Sequence, residues 1–401
     1  MYEGYFDYQA ASPVDPGVVE AMLPFLTDSF GNPASFHSAG DPGREAVAVA
    51  RSRVASLVGA EPAEIVFTSG ATEANNLALK GGALRLREKG SHIVSSVVEH
   101  RSVVTPLKYL ERIGFEVTNV PVGADGLVDP AEVAAAIRPD TVLVSIMTAN
   151  GEVGTIQPIE DIGSIVRERG ILFHTDAVHA LAWLPLDVRR NQVDLMTLSS
   201  NDICGPKGVG ALYVRKGTRL EALVHGGGQE RGLRSGTENV PGIVGFGAAA
   251  AIVAAEREEE AARVGRLRDR LLDGILGSIP DVVLNGSRER RLPNNVNVRF
   301  ARIEGESLLL SLDMEGIRAA SGSACSTKTL EPSYVLIAMG VKHEEAHGSL
   351  EFTLGRWTTE ADVDRVLDIL PGIVERLREM SALKPGMEYD RQSFGGHAHE
   401  E

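Results

Sequence analysis

Cys325 lies in Ala320-Ser-Gly-Ser-Ala-Cys-Ser-Thr-Lys-Thr-Leu330, a stretch of small and polar residues with no apolar period. A structural cysteine normally sits in an apolar run, so this thiol is placed for nucleophilic or metal-ligand work on an accessible loop. Cys204, in Asn201-Asp-Ile-Cys-Gly-Pro-Lys207, reads instead as a small packed residue. Asp176 closes the apolar run Ile171-Leu-Phe-His-Thr-Asp176. An acid at the carboxyl end of a parallel strand stands where α/β sheets bind ligands, and it can hold a proton on a heterocyclic nitrogen or cap the next helix. His100 follows another strand, in Val98-Glu-His-Arg101. It serves either as a ring-stacking or acid–base group near neutral pH or as a structural residue. In Ile65-Val-Phe-Thr-Ser-Gly-Ala-Thr-Glu-Ala-Asn-Asn76 a buried strand enters a small-residue turn and a helix starts near Ala71. Free amides there, with the hydroxyls of Ser69 and Thr72, suit an anion; an ordinary tight turn has the same pattern.

The elements that must hold these residues alternate. Short β-branched runs at Glu64–Phe67, His92–Ser96, Phe115–Val120, Thr141–Met147, Ile171–His174, Asp194–Leu198 and Val209–Val214 read as strands. Amphipathic stretches at Arg44–Val58, Val103–Ile113, Pro130–Ile137 and Ile159–Arg169 separate most of them. Continuously apolar strands between helices predict a mostly parallel sheet covered on both faces. Val240–Ala255 reads as a buried helix too short to span a bilayer, and Glu256–Ile279 as a long, partly exposed helix. Beyond it, strands at Asn295–Phe300, Ile317–Ala319 and Leu350–Leu354 with helices at Gly305–Leu312, Pro332–Met339 and Glu360–Arg376 predict a smaller α+β unit. The expected domains are 15–255, then 1–14 with 256–385 carrying the cysteine loop, and a disordered polar tail over 386–401.

Composition narrows the function. The chain has 401 residues, 43% hydrophobic and 24% charged, ordinary values for a large core. Fifty-five acids against 40 basic side chains give a formal charge of −15, which argues against nucleic acid and against an anionic membrane surface. Two cysteines make no disulfide framework, and no export signal is visible, so a cytoplasmic protein is expected.

Six motifs occur in the order of one family: Phe30-Gly-Asn-Pro-Ala34, Phe67-Thr-Ser-Gly-Ala-Thr-Glu73, Gly205-Pro-Lys-Gly208, Gly226-Gly-Gly228, Arg234-Ser-Gly-Thr237 and Ser321-Gly-Ser-Ala-Cys325. With them the chain resembles, from about Tyr5 to Met380, the cysteine desulfurases of the IscS/NifS type. These are pyridoxal-phosphate proteins of the class V aminotransferase, fold type I group. The resemblance implies an α/β fold type I architecture and a homodimer. It implies a cofactor phosphate at Ala71, Thr72, Ser199 and a partner-supplied Thr237, with Asp176 at the pyridine nitrogen and His100 on the ring. Cys325 matches the loop cysteine that takes sulfur as a persulfide.

Four positions depart from that pattern. The family's Schiff-base lysine and the histidine before it read Asp202 and Asn201, and an aspartate cannot condense with an aldehyde. The arginine that grips the substrate carboxylate reads Glu351. The glutamine near the phenolic oxygen reads His179. The second asparagine of an Asn-Asn-Glu reads Gly151, leaving Asn150 to stand in. Of eight lysines, Lys207 lies beyond Gly205-Pro206, which turns it away from the pocket, and Lys328 rides the cysteine loop, so neither is a convincing replacement. The leading expectation is an iron–sulfur cluster assembly protein with weak or absent desulfurase activity, in which Cys325 is a sulfur carrier or an iron–sulfur cluster ligand offered to a scaffold protein. A working desulfurase with non-covalent pyridoxal phosphate is the second. A vacated pocket holding a metal through His100, His179, Asp202 or Cys325 is the third.

Overall fold

A computed structural model describes residues 2–321 and 331–381. The chain opens with α1 (Pro16–Met22) and α2 (Asp41–Leu57), then alternates through β1 (Ile65–Thr68), α3 (Ala71–Asn76), α4 (Gly82–Leu86) and β2 (His92–Ser96). It continues through α5 (Arg101–Arg112), β3 (Glu116–Val120), α6 (Pro130–Ala136), β4 (Thr141–Ser145), α7 (Ile159–Glu168) and β5 (Leu172–Asp176), to β6 (Leu195–Ser199) and β7 (Gly210–Val214). These strands form one sheet in the order β1-β7-β6-β5-β4-β2-β3. Only β7 runs against the rest, so six strands end at a single edge.

Side chains alternate across this sheet, and both faces are buried. Ile65, Phe67, Met196, Leu198, Ala211 and Tyr213 enter the main core, whereas Val66, Leu195 and Leu212 enter a cluster on the other face. A two-residue period with helices on both sides is what the apolar runs predict. Strand β3 departs from it: at the sheet edge, Glu116 to Asn119 stay partly or fully exposed.

The largest difference from expectation is α8 (Val240–Ser278), one helix of 39 residues where two were expected. Pro241 sits at its start, where the missing N–H costs nothing, and from Ala248 to Val264 there is neither glycine nor proline. Alanines and the charged run are good helix formers, so the helix crosses the boundary expected at 255/256 unbroken. Joined, it contains a window of mean hydropathy 1.4, long and apolar enough to cross a membrane by length and composition alone. Its apolar side chains have other partners. Ile243, Phe246, Ala249 and Ala250 are buried in the main core, and Val264, Leu267, Leu271 and Ile275 in a second one.

That second core lies under β8 (Val282–Leu284), β9 (Asn295–Phe300) and β10 (Ser349–Thr353), an antiparallel sheet in the order β10-β9-β8. Helices α9 (Gly305–Met314), α10 (Tyr334–Ala338), α11 (His343–Ala346) and α12 (Glu360–Met380) complete the chain. Strand β8 was not expected, being three residues and half exposed. The expected strand at Ile317–Ala319 is reduced to bridges, Tyr5 with Arg318 and Ala320 with Glu351. The N-terminal segment joins this unit, with Phe6 fully buried in its core and Asp7 bridged to Thr353. Cys325 and the 386–401 tail lie outside the described residues.

Helix α8 packs closely on α2. A Cβ on Gly247 would come within 2.5 Å of the Ala50 Cα, whereas one on Gly277 meets nothing within 4 Å. Gly247→Val is therefore expected to lower the unfolding free energy by about 2 kcal/mol or more, and Gly277→Ala to raise it by about 0.5 kcal/mol. Urea denaturation checks both; equal effects would contradict the close approach of the two helices.

Candidate functional site

The site gathers where the forward strands end. Strand β5 delivers Asp176 and the turn after it, Val178–Ala180, carries His179; β6 delivers Ser199, and the turn Asn201–Ile203 carries Asp202. Strand β2 leads to His100, the N-cap of α5. Strand β1 leads through Gly70 to α3, whose start is admitted against the sheet by two glycines. Gly70 has φ of +148°, and a Cβ on Gly210 would lie 2.8 Å from the Gly70 Cα.

Asp176 is buried and held from two sides. Its Oδ2 accepts from Asn75 Nδ2 at 2.7 Å, and its Oδ1 from the Val178 N–H at 3.1 Å. It thus caps the following turn, with its side chain held at the sheet edge. The same Asn75 nitrogen reaches Ser102 Oγ at 2.8 Å, while Asn75 Oδ1 is buried without a partner. His100 accepts at Nδ1 from the Ser102 N–H at 3.1 Å, so its neutral ring carries the proton on Nε2. Desolvation, the largest influence, holds the His100 pKa below its ordinary value; Asp176 and Asp202 pull it up, and His179 and Arg101 push it down.

Asp202 and His179 pair, with Nδ1 to Oδ1 at 3.4 Å and both side chains mostly buried. Burial alone would depress His179, but the Asp202 carboxylate, with Asp176 behind it, raises its pKa. A third histidine, His174, is enclosed in the sheet between Ser145 and Thr197, and burial drives it to about 4. Cys204 is pushed up to about 12 by burial, as a packed and unreactive thiol would be.

Other expected site residues have different surroundings. Thr72 is exposed at the start of α3, and Ser199 is buried beside Gly210. Thr237 is exposed, on a loop that Arg234 ties to Glu73 at 3.0 Å. Asn201 accepts from the Ser12 N–H at 3.3 Å. The Asn150 amide is engaged by the Val98 carbonyl and the Val153 N–H, both at 2.9 Å, a structural task rather than a free hand for a ligand. Among the described residues no three His, Cys, Asp or Glu side chains form a metal-holding group.

A cleft of about 800 Å3 opens between the two sheets, lined by Tyr8, Gly151, His179, Trp183, Asp202 and Arg356 among others. It shares His179 and Asp202 with the edge site and is lined also by Ile252, Glu256 and Glu260 of α8, whereas Asp176 and His100 do not line it. No described lysine lines it, and Lys207, exposed, gives its ammonium to the Ser12 carbonyl. An acid at this place, beside an unsatisfied Asn75 oxygen, fits the ring nitrogen of pyridoxal phosphate. Asn75 lay inside a motif read for phosphate, and its role beside Asp176 needs the fold to be seen. Gln9 and Asn295, which also border this region, carried no sequence signal.

The His179 pairing fixes a pH dependence. A folded-state histidine pKa raised above its unfolded value stabilises the fold below about 6.5, and that contribution is lost as pH rises through the folded pKa. Asp202→Asn is therefore expected to lower stability more at pH 6 than at pH 9, read from urea midpoints. An equal loss at both would contradict a charged pair.

Residues 4–366 match the family described as Aminotransferase class-V. Cysteine desulfurase IscS 1 of Archaeoglobus fulgidus is 57% identical over 379 residues, spanning 94% of this chain and 99% of its own. Cysteine desulfurase IscS of Methanosarcina thermophila is 53% identical over 95% of this chain and 94% of its own. Among solved structures, a NifS-like protein superposes with a TM-score of 0.87 at 39% identity, covering 94% of this chain and 99% of that one. SspA in complex with cysteine gives 0.79 at 38% identity, covering 89% and 100%. With a seven-strand sheet in this order and an acid closing β5, the chain belongs to the class V aminotransferases and, within them, to the IscS cysteine desulfurase family.

Proposed function

We propose that this chain serves iron–sulfur cluster assembly with Cys325 as the working group, and that its own desulfurase activity is weak or absent. The observation that carries the reading is Asp202, at the position the resemblance gives to the Schiff-base lysine, lying in the cleft and paired with His179. An aspartate supplies no amine, and no described lysine lines the cleft to take its place. Cys325 would then carry sulfur as a persulfide, its thiolate attacking the outer sulfur of a donor protein's persulfide and releasing the donor's thiolate, or offer its own thiolate as a ligand to a cluster shared with a scaffold protein. A homodimer, with Thr237 of one subunit completing the phosphate site of the other, and a cytoplasmic setting belong to the same reading.

A second reading has one observation in its favour, the intact Asp176–Asn75 pole. When bound, pyridoxal phosphate supplies an electron sink for a carbon joined to its ring system. In this chain Asp176 would hold the ring N–H, oriented by Asn75 and the Val178 amide. Ala71, Thr72 and Ser199 would face the phosphate. His100 would stack on the ring, and His179, its pKa raised by Asp202, would pair with that carboxylate. Without a lysine the cofactor would be held by these contacts alone, and the proton transfers a lysine performs would have no amine to carry them.

The test is sulfide and alanine release from L-cysteine by the purified chain with pyridoxal phosphate. The unaltered chain is expected to release sulfide no faster than Cys325→Ser. Asp202→Lys with Glu351→Arg is expected to exceed Asp202→Lys alone by roughly tenfold or more, the scale of regaining one buried ionic contact. Rapid Cys325-dependent release by the unaltered chain would overturn the proposal in favour of a lysine-independent desulfurase.

A further inference from the structure

Glu351, His179 and Asp202 are physically joined, through two residues that have no place in the proposed chemistry. Glu351 is buried in β10 and accepts from Asn295 Nδ2 at 3.3 Å; Asn295 Oδ1 accepts from the buried Arg291 Nη1 at 2.6 Å. The acid is thereby balanced from inside the fold. On its other side stands Gln9. In the orientation that satisfies its neighbours, the Gln9 amide nitrogen donates to Glu351 Oε1 and to the Gly151 carbonyl at 3.0 Å, and its oxygen accepts from the Glu152 N–H at 3.2 Å. A Cβ on Gly151 would fall 2.5 Å from the Gln9 amide and 2.6 Å from His179 Cδ2. A residue without a Cβ lets both side chains lie there, and His179 then reaches Asp202.

We infer that Gln9 and Gly151 are specificity-determining residues. Gln9 closes the end of the pocket where a substrate carboxylate would be gripped, and Gly151 makes room for it. Both donors of the Gln9 amide are spent within the protein, so no N–H is left to receive a ligand carboxylate, and the acid behind it repels one. The pocket therefore disfavours ligands carrying an α-carboxylate and admits neutral or cationic amino-thiols. This rests on the reading of the cleft as the ligand pocket.

The probes are L-cysteine and L-cysteine methyl ester, which share thiol and amine and differ in the anionic carboxylate. Binding to the full chain is read by calorimetry and by fluorescence of Trp183, which lines the cleft. The ester is expected to bind about tenfold tighter or more, and Gln9→Ala combined with Glu351→Gln, which removes both the block and the repelling charge, to reduce that preference to about threefold or less, the scale of one buried polar mismatch. A separate readout needs no ligand. Gly151→Ala is expected to lower the His179 titration seen by NMR, as Asp202→Asn does, while leaving His174 unchanged. Equal binding of the two probes, or an unmoved His179 in Gly151→Ala, overturns the inference. Failure of both probes to bind while His179 does respond overturns instead the reading of the cleft as the ligand pocket.

Discussion

Both faces of the seven-stranded sheet are buried under helices, and this constraint decides where chemistry can occur. Polar side chains have no place on either face unless, like His174 between Ser145 and Thr197, they are fully hydrogen-bonded. They gather where six strands end together, and Asp176, His179, Ser199, Asp202 and His100 are all there. Helix α8 extends the constraint. By burying one half in the main core and the other in the second, it fixes the small sheet against that edge, bringing Glu351 and the N-terminal Gln9 beside Gly151.

The site is unusual in its charge. The acid that would face a ring nitrogen is kept, with Asn75 and a backbone amide holding it in place. Around it, two positions that the resemblance would give to cations are acids, each with a partner in the protein: Asp202 with His179, and Glu351 with Asn295, which Arg291 holds in turn. A buried acid with a built-in partner is stable but has little left for a ligand. The coupling through Gly151 also means that these substitutions are not independent, since neighbouring changes in one network do not add.

Much of this was legible from residue types. Apolar runs ending in Asp176 and before His100 located the sheet edge, because strand ends and ligand sites coincide in α/β folds. Asp202 and His179 stood out only against the pattern of the resembled family, as departures from its lysine and its glutamine. What stayed hidden had tertiary causes. Gln9 and Asn295 matter through contacts with Gly151, Glu152 and Glu351 that only the folded chain brings together, and the Asn150 amide proved committed to backbone groups that no spacing reveals. The unbroken α8 was misread because its apolar and charged halves have different partners, and a change of partner looks in sequence like a change of element. Cys325 was read entirely from its sequence surroundings.

The central claim is that no amine of this chain serves as a covalent anchor for the cofactor. The direct measurement is borohydride reduction of the purified chain with saturating pyridoxal phosphate, followed by peptide mass spectrometry, with Asp202→Lys treated in parallel. The account predicts a reduced pyridoxyl adduct on the introduced lysine of the variant and no stoichiometric adduct on any lysine of the unaltered chain. A stoichiometric adduct on a single lysine of the unaltered chain, Lys207 or Lys328 above all, would contradict it.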